Sequence, residues 1–384
     1  TCPPVLMRPE EFLTASLKLG SESKRASGMS RTIWIFVPCL IAGLYVAVSA
    51  GGEARGMEGK PMPVRQSGAS RVILPNVDHY AVAEPLFECV RVVLSYRGEK
   101  YSPAYLQGIS GAAFRIGGPC PCAPTCEWAM STDHLIHLLG YECERMGVPA
   151  EGPERGPAWQ RMLARTKDEI RAGRPVILWH AFTFCENDVV CGFDEEKHEL
   201  YGRGSYAAMR TADYAHANEN RPLEATAECG GPHALFIGKK IGQLDARAAE
   251  INALKTAVLH AHGASASLRP PMPVGLECYD QWIAAYGKSV RAPSAELPPD
   301  SYLLDVLIST RRAAADFMRE LSPKYPDAKV HLELAADHFA RESAALEACQ
   351  KALGDRKSIS DEQRRRAAGR LSEARAMYAL AISQ

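Results

Sequence analysis

The sequence predicts an α+β fold followed by an all-α part, and three observations carry the prediction. Helical periodicity dominates from Glu84 to Ala172. Four apolar runs of strand length follow, ending at Lys239. Beyond Gln243 the chain turns to Ala-, Arg- and Glu-rich stretches that keep a helical period and are separated by Pro, Gly and Ser breaks. With 384 residues the chain is long enough for two domains with real cores. Lys+Arg and Asp+Glu are equal at 45 each, which argues against a nucleic-acid partner or a polybasic membrane surface.

Residues 29–50, MSRTIWIFVPCLIAGLYVAVSA, read as a signal peptide. Arg31 supplies the positive start, Ile33 to Val48 is nearly all apolar, and Val48-Ser49-Ala50 is a cleavage site before Gly51. Met29 is the expected start, with residues 1–28 upstream of it. The alternative is an uncleaved anchor over residues 33–50, at the lower limit of a bilayer span. Either way the remainder is expected to be exported, periplasmic or secreted, with membrane contact only through this segment. Residues 51–70 read as a linker.

Glu84–Gly98 is the first helix. Leu86, Val90, Val93 and Leu94 share one apolar face, Pro85 suits a first turn, and Gly98 stops the helix. Cys89 lies one turn in, where the helix dipole lowers a thiol pKa. The same position also suits an inert, buried thiol. Ser102-Pro103 caps a short helix over Pro103–Gln107. Gly108–Arg115 is rich in small residues, and Phe114 and Arg115 are expected to project into a cleft. A Pro- and Cys-rich loop follows, and then helices over Asp133–Leu139 and Ala158–Ala172.

Pro175–Trp179, Asp188–Phe193, Glu199–Tyr201 and Ala234–Lys239 are the expected strands, with a turn at Asp194–Lys197. The helical part comprises Leu244–His262, Gly275–Val290, Ser301–Leu321, Asp327–Leu353 and Ser360–Ile382. It reads as an antiparallel bundle or a set of hairpins with no motif for chemistry, and its expected role is packing and contact with a protein partner. The domains are therefore 71–243 and 244–384.

FECVRVVLSYRG, GISGAAFR, GRPVILW and VVCGFDEEKHELYG, in that order, resemble the papain-like fold of bacteriocin-processing (double-glycine leader) peptidases. Within that fold they are similar to the N-terminal domain of the butirosin-biosynthesis H protein, an acyltransferase. The resemblance covers about Val72 to Lys240. It implies an antiparallel sheet against the Cys helix, Cys89 as nucleophile, and a peptide or small acyl substrate. Two positions depart from the pattern. The Gln six residues before the Cys is Ala83 here, with Glu84 beside it, and the strand that opens with the base His opens here with Glu186-Asn187-Asp188. His180 and His233, each at a strand end, are the substitute bases, and Asp194 completes the candidate site. Backbone N–H groups at the helix start are the expected oxyanion donors.

Ten of the 12 cysteines lie beyond the leader, and export favours pairing some of them. Cys185 and Cys191 flank a turn region and are one candidate pair. Cys120, Cys122 and Cys126, with His134 and His137 downstream, lack standard zinc-finger spacing, so disulfides or free thiols are expected there rather than a metal. No cofactor is expected. Two functions stay open: cysteine-dependent acyl hydrolysis or transfer, and a non-catalytic binding module that kept the cleft and lost the triad.

Overall fold

The computed structural model describes residues 69–117, 130–224, 231–263, 273–287, 301–354 and 359–384. The expected leader, nearly all of the linker, the Cys120–Cys126 cluster and Cys229 lie outside the described residues. The described residues all belong to one compact unit.

The fold is α+β. Among the described residues seven strands form one antiparallel sheet in the order β2 (Tyr141–Gly147), β7 (His233–Lys240), β3 (Val176–Trp179), β4 (Asn187–Asp194), β5 (Glu199–Arg203), β6 (Ala215–Asn218), with β1 (Arg71–Ile73) paired to the far end of β4. The central strand β4 (Asn187–Asp194) is buried along its whole length between β3 (Val176–Trp179) and β5 (Glu199–Arg203). Register sets Trp179 opposite Asn187 and Leu178 opposite both Asp188 and Ala234. β7 (His233–Lys240) completes the expected set of strands.

Two further strands, β2 (Tyr141–Gly147) and β6 (Ala215–Asn218), occupy the two edges. Their sequences, YECERMG and AHAN, bury little, so no apolar run announces them. Cys191 sits at the irregularity between Val190 and Gly192 and carries a free, buried thiol, so the expected Cys185–Cys191 pair is not formed. Cys89, Cys143 and Cys278 are also free thiols.

Helix α1 (Pro85–Tyr96) packs on β3 and β4. Its apolar stripe is broader than the sequence suggests: Phe87, Cys89, Val90, Val92, Val93 and Leu94 are all without exposed surface. Gly98, at φ +93°, ends it in the left-handed region that glycine adopts without strain. Next come α2 (Pro103–Ile109), α3 (Thr132–Leu138) and α4 (Arg155–Arg171).

The helical part comprises α5 (Ala246–Ala261), α6 (Leu276–Gly287), α7 (Ser301–Leu321), α8 (Lys329–Leu353) and α9 (Asp361–Ile382). α8 and α9 run antiparallel. Gln363 donates to Leu353 O at one end, and the Phe339 and Tyr378 rings meet at the other. No helix among the described residues is long and apolar enough to cross a membrane.

The GISGAAFR segment joins the sheet part to the helices. Arg311 of α7 donates to Ala113 O at 2.7 Å and Arg115 O at 2.9 Å, and Tyr378 of α9 donates to Phe114 O at 2.9 Å. His260 of α5 takes the Ile116 N–H at 2.9 Å. The expectation that Phe114 and Arg115 project into a cleft is therefore corrected. Phe114 is enclosed by Phe317 and Phe339, and Arg115 folds back onto Ser110 O. Small residues here admit α7: a Cβ on Gly108 would stand 2.3 Å from the Phe317 ring.

Candidate functional site

Glu84 governs the start of α1. Its backbone is extended, and its carboxylate accepts the Leu86 N–H at 2.9 Å and the Phe87 N–H at 3.0 Å. Gln107 Nε2 donates to the same carboxylate at 3.0 Å. The helix-start donors expected to hold an oxyanion are thus already occupied by the Glu84 carboxyl oxygens. Burial raises the Glu84 pKa, opposed by these hydrogen bonds. Ala83, where the peptidases of the sequence resemblance carry Gln, gives its N–H to Ser309 Oγ of α7 at 3.0 Å and packs on Val306. α7 thereby covers this end of α1.

Cys89 is fully buried, and its thiol donates to Leu86 O at 3.4 Å. Leu86 O also accepts the Thr132 hydroxyl at 3.0 Å. Burial pushes the Cys89 pKa well above its ordinary value, and the negative charges of Glu84, Glu88 and Asp188 push the same way. All 11 histidines fall among the described residues, and none hydrogen-bonds to this thiol.

The other candidates are engaged elsewhere. His180 follows β3 at φ +60°, and its Nδ1 accepts the Cys185 N–H at 2.8 Å. Burial lowers its pKa, with Arg221 adding to the effect. His233 stacks on Trp179 at 5.3 Å, with Nδ1 3.2 Å from Gly231 O, and burial pushes it down to about 4. Asp194 accepts the Glu196 and Lys197 N–H groups, each at 3.1 Å, and pairs with Arg71 at 3.4 Å. It is a turn cap. The structure places these four residues in separate local networks.

What surrounds Cys89 is a set of carboxylates. Asp188 is fully buried and accepts the Phe182 N–H at 2.6 Å and the Thr183 N–H at 2.8 Å. Glu88 is equally buried and accepts the Ala81 N–H and Arg91 Nε, both at 2.7 Å. Burial pushes each up to about 7. Tyr80, which donates to Asn187 O at 3.0 Å, lies in the field of the same three carboxylates and Cys89.

Sequence reading missed these roles. The available signal was Glu84 and Glu88, four apart at the helix start beside Cys89, but Glu is outside the usual N-cap set. A surface cleft of about 620 Å³ passes Ala81, Val82, Ser309 and Arg312, and Cys89 does not line it. Among the described residues no group of three or more His, Cys, Asp or Glu is placed to hold a metal ion. No protein-family model matches the chain, and no curated protein matches it.

Proposed function

We propose that the chain is a non-catalytic interaction module with a papain-like layout, in which Cys89 has become a packing residue. One observation carries the reading: the Glu84 carboxylate occupies the Leu86 and Phe87 N–H groups while the Cys89 thiol is spent on Leu86 O. A nucleophilic thiol needs positive surroundings to ionise and an acceptor for its proton. Here the nearby ionisable groups are carboxylates, which disfavour a thiolate, and the acceptor is a main-chain carbonyl, which takes the hydrogen bond but not the proton. The covering of Ala83 by Val306 and Ser309 supports the same reading, because it closes the approach to the helix start.

The test is iodoacetamide alkylation of the native protein, read at Cys89 by peptide mass. Cys89 should stay unmodified until denaturant unfolds the chain, and Cys89→Ser should cost about 1–2 kcal/mol of stability through lost packing. Cysteine-dependent acyl chemistry becomes the better reading on a different outcome. That outcome is alkylation in the folded protein faster than an exposed thiol of pKa about 8.5, with the rate falling in acid.

A further inference from the structure

The loop joining β3 to β4, residues 180–186, is buried except at its tip. Ala181, Phe182, Thr183 and Cys185 are almost fully covered, while Phe184 is 68% exposed. Buried N–H groups need acceptors, and two ionisable side chains supply them here. Asp188 Oδ2 takes the Phe182 and Thr183 N–H groups, and His180 Nδ1 takes that of Cys185 at 2.8 Å. A main-chain bond from His180 N–H to Glu186 O, also 2.8 Å, closes the base of the loop.

The closed loop carries two costs. His180 at φ +60° and Cys185 at φ +54° both sit in the left-handed region, which non-glycine residues adopt with strain. Cys185 also packs on Trp179, whose indole N–H is buried without a hydrogen-bond partner among the described residues. Opening the loop relieves the strain and returns that N–H to water.

An accepting Nδ1 requires a neutral imidazole. Protonation turns Nδ1 into a donor and sets it against the Cys185 N–H. Among the described residues, the charged groups facing His180 are Arg221 and Glu224 of the short turn Arg221–Glu224. Arg221 opposes the proton, as burial does, and Glu224 favours it. The Phe184 ring meets the imidazole edge-on at 5.1 Å and adds no charge. A proton on His180 is thus better held in the open loop, so acid favours opening through this residue. Asp188 pulls the other way. Its burial favours a proton in the closed loop, so acid acting on Asp188 alone tightens the loop.

We propose that His180 is an acid-released latch: the neutral ring holds the β3–β4 loop over Trp179, and the protonated ring lets the loop swing away. Opening joins Trp179 to Phe184 as one exposed aromatic patch at the end of the sheet. The surface offered to a partner then differs between neutral and acidic surroundings. The proposal does not depend on the reading of Cys89.

The test is hydrogen–deuterium exchange of the full chain, read by peptide mass over residues 180–186 at pH 7 and pH 5 and corrected for intrinsic exchange rates. Asp188→Asn removes the opposing titration, so exchange of the loop in that variant should be at least about fivefold faster at pH 5 than at pH 7. Adding His180→Asn should abolish the rise. Asn tolerates the left-handed region, and its side-chain oxygen offers the Cys185 N–H an acceptor that does not titrate. Residues 189–192 of β4 should stay protected in every sample. No rise in Asp188→Asn overturns the proposal, and so does an equal rise with His180→Asn present. A rise that β4 shares is unfolding of the sheet and overturns it too.

Discussion

The Arg311 guanidinium meets the Glu342 carboxylate at 2.6 Å, with neither side chain exposed to water. Tyr279 donates to the same Glu342 oxygen at 2.6 Å, and the other two nitrogens of Arg311 hold Ala113 O and Arg115 O. The pair thus fixes α7 to α8 and both to the sheet part. Removing one partner strands the other charge in the core. Arg311→Ala should therefore destabilise by about 3–5 kcal/mol in denaturant titration. A loss under about 1 kcal/mol would show that water replaces the pair, as it does for exposed ions.

Gly108 sets how closely α2 and α7 approach. Because an added Cβ falls 2.3 Å from the Phe317 ring, Gly108→Ala should lower stability by roughly 1–3 kcal/mol despite the better helix propensity of Ala. Phe317→Leu makes room, so a double-mutant cycle should give a favourable coupling between the two positions. Additive effects would mean that the helices do not meet there.

Asp188 predicts a pH dependence. Its folded pKa, pushed up to about 7, exceeds the ordinary 3.8, so between those values the folded state binds more proton than the unfolded state. Stability from this group is present below about pH 4, falls as pH rises through about 7, and stays lost above. Asp188→Asn keeps an oxygen for the Phe182 and Thr183 N–H groups and removes the charge. It should gain roughly 1–3 kcal/mol over the parent at pH 8 and little at pH 4. Denaturation midpoints at the two pH values decide this; an equal change at both would rule it out.

His260 works in the opposite sense. Burial pushes it down to about 4 from 6.5, so its contribution is present above 6.5 and is lost as pH falls through 4. The windows of His260 and Asp188 overlap, and their slopes cancel in part in the parent. In Asp188→Asn the acid-side loss should therefore be steeper than in the parent. NMR titration of the His260 ring should show a neutral imidazole at pH 6, and a protonated ring there would refute the assignment.

Much of the fold was legible in the chain. The span predicted for α7, Ser301–Leu321, is the observed one, and β3, β4 and β7 appear as apolar runs because they are buried on both sides. The edge strands were not legible, because one-sided burial of short polar segments leaves no pattern. The candidate site was legible only in part. The place of Cys89 near a helix start could be read, but its electrostatics depend on Asp188, which is distant in sequence, and on how Glu84 turns. The small residues of GISGAAFR signalled close approach correctly. What approaches is an α-helix about 200 residues later, which no local pattern encodes.

The hydrogen bond from Tyr378 to Phe114 O also bears on the order in which the chain is made. A ribosome releases the sheet part first, with Ala113 O, Phe114 O and Arg115 O still without the donors that close them. Arg311 arrives later, and Tyr378 only when α9 emerges. Until then the nascent sheet part exposes apolar surface around Phe114, the kind of surface that chaperones hold. Closure of this segment therefore waits for α9, and a translational stall before α9 would leave an aggregation-prone intermediate.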